Sequence, residues 1–157
     1  DWSGIYLTQQ YGVNAAFAGL AYTFFAIAMT TGRFTGDYLI RYFGEKKLLT
    51  YSAICATLGL ALVSIAPYWW LVLVGYTLVG TGCSNIVPIM FSRAGRQTVM
   101  PSAVALSCVS TMAYTGILVG PAFIGMVSEL IGLSTVFMAL SGLLLLIVAL
   151  NRFTYVK

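Results

Sequence analysis

Long stretches of this chain carry no charged side chain, among them Leu48 to Ser92, Thr98 to Ser128 and Leu130 to Asn151. Each is long enough for at least one membrane crossing, because about 20 residues of α-helix traverse about 30 Å of hydrocarbon. Only 8% of the 157 residues are charged and 60% are hydrophobic, whereas soluble domains carry about 25% charged residues. A soluble protein of this length could not cover so many buried helices with so few polar side chains. In lipid, backbone groups must bond within the protein, which leaves helices or closed barrels. A barrel strand reads as a short alternating segment, and these runs are longer and continuous. The fold class is therefore an all-α membrane protein.

Five spans are expected, at about 14–35, 48–66, 70–91, 100–127 and 134–151. They make one transmembrane bundle over 14–157. Residues 1–13, DWSGIYLTQQYGV, read as an external segment or as the end of a preceding helix. The links between spans are short: YFGEKK, PYW, SRAGRQTV and SELIG. Pro67 with Tyr68, Trp69 and Trp70 reads as a turn in an interfacial aromatic belt.

Threading five spans through a membrane puts Arg33, Arg41, Lys46, Lys47, Arg93, Arg96, Arg152 and Lys157 on one side. Positive charge is retained on the cytoplasmic side, so the C-terminus is expected to be cytoplasmic in a multi-pass protein of the inner (plasma) membrane. The other side then holds Asp1, Glu129 and the Trp69–Trp70 turn. On that placement no carboxylate lies at mid-depth, and a neutral or polar solute suits the spans better than an ion.

Chemistry beyond the membrane is poorly supported. There is no histidine, no nucleophile–base pair, and the acidic residues are scattered, so an enzyme is not expected. Cys55, Cys83 and Cys108 have no metal-ligand spacing, and no metal or cofactor is called for. The net charge of +4 is accounted for by the basic loops and does not point to nucleic acid.

Half of the twelve charged residues fall in one stretch, GRFTGDYLIRYFGEKK at 32–47. Arg33 and Arg41 stand four residues either side of Asp37 on one helical face, so local ion pairs are available. The stretch resembles the loop motif of the major facilitator superfamily, with Gly32, Gly36, Asp37, Gly44, Lys46 and Lys47 in the motif's roles. It departs from the usual form at Tyr38 and by about one extra helical turn before Gly44. In that form it resembles the motif's second copy, in the C-terminal half of such transporters. GTGCSNIVPIMFSRAGRQ and STMAYTGILVGPAFIGMVSELIGL look like the tenth and eleventh helices of bacterial inner-membrane facilitators related to sugar permeases.

The resemblance implies a partial facilitator-type bundle, helices eight to twelve of twelve. An N-terminal six-helix bundle and one further helix would be the missing partners, beside the lipid bilayer and a small, sugar-like solute. It implies that Asp37 tethers the loop to neighbouring helix ends when the cytoplasmic side is closed, with Arg33 and Arg41 part of that gating motif. It also implies that Gly116, Gly120, Pro121 and Gly125 form a packing or rocking interface against the other bundle. Polar groups placed to line a solute path are Tyr22, Thr23, Asn85, Tyr114 and Thr115, each of which could instead bond across a helix pair. The competing reading is a non-transporting structural or scaffold membrane protein, or a truncated relic.

Overall fold

The computed structural model describes residues 1–153; Lys157 lies outside them. The described residues form seven α-helices: α1 (Ser3–Tyr11), α2 (Leu20–Phe43), α3 (Glu45–Ile65), α4 (Trp69–Cys83), α5 (Ile86–Arg96), α6 (Ser102–Ile131) and α7 (Leu133–Asn151). Five helical segments are long and apolar enough to cross a membrane: Ala15–Phe43, Glu45–Ile65, Trp69–Arg96, Ser102–Ile131 and Leu133–Asn151.

The links are tighter than the charge pattern suggests. YFGEKK is not a loop: α2 runs to Phe43, α3 starts at Glu45, and Gly44 alone joins them. Helix continues beyond the apolar run because long charged side chains reach the membrane surface from helical turns. Gly44 has φ 80°, ψ 152°, and Gly132, the single joint between α6 and α7, has φ 83°, ψ 148°. Only glycine occupies this region without strain. The expected loop SRAGRQTV also shrinks, since α5 extends to Arg96. Beyond it, Gln97 stitches the turn. Its Oε1 accepts from the amides of Val99 (2.8 Å) and Met100 (3.0 Å), and its Nε2 donates to the Met100 carbonyl at 2.7 Å.

The third span is interrupted at Ser84–Asn85, between α4 and α5. Pro88 supplies the cause. It has no N–H for the Ser84 carbonyl four residues back, and its ring crowds that carbonyl. The broken turn seats on α2. A Cβ at Gly32 would collide with the Ser84 side chain, and one at Gly36 with the Asn85 side chain.

Packing is uneven. α3 lies between α4 and α7, and α4 between α2 and α3. Glycines bring these backbones together. A Cβ at Gly59 would lie 2.7 Å from the Gly75 carbonyl oxygen, and one at Gly82 would lie 2.6 Å from that of Ser52. By contrast, α6 touches only α5 and α7 to any extent, and of its thirty residues Ala105 alone is buried.

Candidate functional site

The starts of α3 and the ends of α5 and α7 meet at one end of the bundle, which also carries Arg96 and Lys46. This is called the basic end. Asn151, at the last position of α7, is buried between them. Its Oδ1 accepts from Arg93 Nη1 at 2.8 Å, while its Nδ2 donates to the Lys46 carbonyl and to Thr50 Oγ1, both at 2.9 Å. Glu45 adds the charge partner, 2.5 Å from Arg96 Nη2 and 3.9 Å from Arg93 Nε. Arg93 is itself buried, so its guanidinium depends on these contacts. Arg96 pairs with Glu45.

Asp37 lies on the exposed side of α2, as do Arg33 and Arg41. Among the described residues no ion pair joins Asp37 to either arginine. Glu45, Arg93 and Asn151 do not stand out in the sequence. The available signal is an Asn and an Arg each ending an apolar run, but their meeting spans 58 residues of separation.

At the opposite end, hydroxyls satisfy carbonyls that terminate α3 and have no helical donor. Tyr6 Oη donates to the Val63 carbonyl at 2.8 Å, and Tyr11 Oη to that of Ala66 at 2.6 Å. Ser64 and Ser134 exchange bonds: Ser64 Oγ donates to the Ser134 carbonyl (2.8 Å), and Ser134 Oγ to the Ser64 carbonyl (2.6 Å).

Between the two ends lie two cavities that share Asp1 and Tyr76 in their walls. The larger, about 460 Å³, is bounded by Trp2, Gly116, Gly120 and Phe137. The smaller, about 250 Å³, is bounded by Ser3, Tyr22 and Phe25. Trp2 is held in place: its Nε1 donates to the Pro121 carbonyl at 3.2 Å, and its ring occupies the space a Cβ at Gly125 would need, 2.8 Å away. Tyr76 meets Phe137 edge-on at 6.4 Å. Pro121 has no N–H for the Ile117 carbonyl, and Ile117 lines the larger cavity.

Within residues 1–13, Ser3–Tyr11 is a helix packed on α2 and α4, and Asp1, ahead of it, is exposed beside the wall that holds Gly116 and Ile117.

The other polar candidates are distributed as follows. Tyr22 lines the smaller cavity. Thr23 Oγ1 bonds back to the Gly19 carbonyl, and Thr115 Oγ1 to that of Thr111. Tyr114 is 66% exposed. Asn85 is buried, its Nδ2 donating to Ser84 Oγ at 3.0 Å, beside a separate cavity of about 190 Å³ between α2, α3 and α4. Nothing lies within 4 Å of a Cβ built at Gly116 or Gly120.

The sequence model of the Major Facilitator Superfamily matches residues 2–156. The chain belongs to this superfamily. Members are membrane transporters rather than enzymes, and this facilitator chain is accordingly a multi-pass, all-α chain of the inner membrane. It is 41% identical over 152 residues to an uncharacterized MFS-type transporter of Yersinia pestis, covering 97% of this chain and 40% of that protein. It is 35% identical to the membrane protein MosC of Rhizobium meliloti, covering 85% and 33%. A multi-drug resistance efflux pump PmrA homolog of Lactococcus lactis is 28% identical, with 87% and 34% covered. The facilitator chain thus spans about a third to two fifths of the length of these relatives. No solved structure matches it.

Proposed function

We propose that this chain is most of the second bundle of a secondary transporter that moves a small solute by alternating access. The observation that carries the reading is the face made by α1, α2, α4 and α6. Its α6 wall, with Ala105 alone buried among thirty residues, presents Gly116 and Gly120 to open space, and Tyr22 and Tyr76 stand beside it. A lone bundle in lipid has no use for such a face; a second bundle docked across it would close a solute path. On this reading the five spans are helices eight to twelve and α1 ends the seventh. The missing partner is the first six-helix bundle with the rest of that seventh helix. The basic end is cytoplasmic, following the retention of positive charge. Asp37, exposed beside that end, is free to reach a group outside this chain, which suits a tether between bundles.

The solute implied by the subgroup resemblance is small and sugar-like, and the hydroxyls of Tyr22 and Tyr76 are placed to bond it.

Cysteine accessibility tests the reading without knowledge of the solute. In the full-length protein with Cys55, Cys83 and Cys108 replaced, Gly120→Cys should react with small water-soluble methanethiosulfonates, whereas Leu146→Cys, on the exposed side of α7, should not. A non-transporting scaffold would leave both unreactive, and that result would refute the proposal.

A further inference from the structure

Although Gly44 alone joins α2 to α3, α3 packs closely on α4 and α7 and only lightly on α2. The space left between the two helices is a groove of about 190 Å³, floored by the break at Ser84–Asn85. Its walls are Gly32, Thr35 and Leu39 on α2 and Leu48, Tyr51 and Cys55 on α3. Thr35 and Tyr51 are exposed, so the groove opens outward along them. Counted from Gly44, it reaches from about 6 Å to about 18 Å below the joint, at 1.5 Å of rise per residue. It therefore lies in the half of the membrane next to the basic end. Much of its polar lining is already bonded: Thr35 Oγ1, Ser84 Oγ and Cys55 Sγ donate to the carbonyls of Thr31, Thr81 and Leu78. The groove is too small for the drug-sized ligands that fill about 300–1,000 Å³, but it is long and narrow.

The mouth of the groove at the basic end has a different chemistry. Tyr42 and Phe43 continue the α2 wall one turn beyond Leu39, and Lys47 continues the α3 wall one turn beyond Tyr51. Phe43 meets Tyr42 edge-on at 4.9 Å and Tyr51 at 5.8 Å, so three rings collar the mouth. Lys47 is exposed, and among the described residues no carboxylate forms an ion pair with it. Glu45 is committed to Arg93 and Arg96. Asp37 is two residues from both Thr35 and Leu39, about 200° round α2 from that wall. The charge left at the mouth is positive.

We propose that this groove holds an acyl chain of an anionic glycerophospholipid, with the lipid's phosphate at Lys47. The solvent around a spanning helix is lipid, and a narrow apolar slot that no side chain fills takes a tail. Basic residues at the mouth of a space between spanning helices recognise anionic headgroups, and tyrosines sit at headgroup level. Lys47 reaches the phosphate from a helical turn, its stem lying along the slot. A zwitterionic lipid would bring its own ammonium to the same lysine and gain less. The bound tail would pack between α2 and α3, where the chain itself provides little contact. The inference requires only that these helices span a membrane, so it stands apart from the transport reading.

Native mass spectrometry of the full-length protein in detergent tests it. The probe is dioleoylphosphatidylglycerol, and dioleoylphosphatidylcholine is the zwitterionic comparator. The wild type should bind its first phosphatidylglycerol more tightly than its first phosphatidylcholine. Lys47→Gln should weaken that phosphatidylglycerol by about fivefold, the scale of one basic residue at an anionic surface, and Lys47→Arg should keep it. Arg152→Gln removes an exposed charge outside the groove and should change nothing. Thr35→Phe puts a ring into the slot and should weaken both lipids. Thermal unfolding shows whether each variant is folded; should Thr35→Phe fail to fold, Thr35→Leu takes its place. Equal affinity of the wild type for the two lipids, equal effects of Lys47→Gln and Arg152→Gln, or unchanged binding when the slot is filled would each overturn the assignment.

Discussion

Replacing Gly59 by alanine should loosen the close joint between α3 and α4. A Cβ at Gly59 would lie 2.7 Å from the Gly75 carbonyl oxygen, 2.7 Å from the Val79 amide nitrogen and 2.8 Å from Val79 Cγ2. Ordinary contact begins at 3.4 Å, so the shortfall against backbone is about 0.7 Å. A rotamer change cannot relieve it, because two of the three obstacles are main chain. α3 and α4 must part, and every contact along their shared face weakens with them. Overpacking of this kind costs about 1–3 kcal/mol, while alanine in place of glycine favours helix by about 1 kcal/mol. A net loss of up to about 2 kcal/mol remains, or a midpoint lowered by up to about 8 °C for a unit of 150–250 residues. The assay is thermal unfolding of the full-length protein in detergent, followed by tryptophan fluorescence. Gly142→Ala is the internal control: it also lies within a spanning helix, but nothing stands within 4 Å of its Cβ, so it should not destabilise. Equal midpoints for the two variants would refute the claim that glycine at 59 serves backbone approach.

Two further outcomes follow from the joints and ties of the bundle. Asn151→Leu removes three hydrogen bonds, one of them from the buried Arg93, and should cost about 2–4 kcal/mol in denaturant unfolding; an unchanged midpoint would show that α5 and α7 do not depend on it. Gly44→Ala and Gly44→Asn should be comparably destabilising, by about 1–3 kcal/mol, because the backbone there, φ 80°, ψ 152°, lies outside the left-handed helical region that asparagine tolerates, and a rescue by asparagine would contradict this.

The helical spans were legible because hydrocarbon imposes a simple rule on composition, and charge-free runs follow it. Their ends were less so. Helix α2 carries Asp37 and Arg41 well past its apolar run, and a loop cannot be told from a charged helical turn when both occupy the membrane surface. The meaning of Gly32 and Gly36 depended on partners about 50 residues away: they receive Ser84 and Asn85, a relation no local pattern encodes. The tie of Arg93 to Asn151 and of Glu45 to Arg96 is non-local in the same way. Residues 1–13 could be read as a surface segment or as the end of a helix, because Ser, Thr and Gln stand among apolar residues, and the inward packing of Tyr6 and Leu7 depends on Val63, Val72 and Phe137 far along the chain.

The two single-glycine joints have a mechanical consequence. α3 and α7 are fastened at both ends, by the Ser64–Ser134 exchange at one and by Asn151 at the other, which makes the pair a strut. α2 joins this strut at Gly44, on the basic end, and α6 joins it at Gly132, on the opposite end. α2 is also clamped on α4, through Gly32, Gly36 and Gly80, whereas α6 has little besides α5 and α7 to hold it. A tilt of α6 about Gly132 would move most the end beside the basic surface and leave the strut unbent.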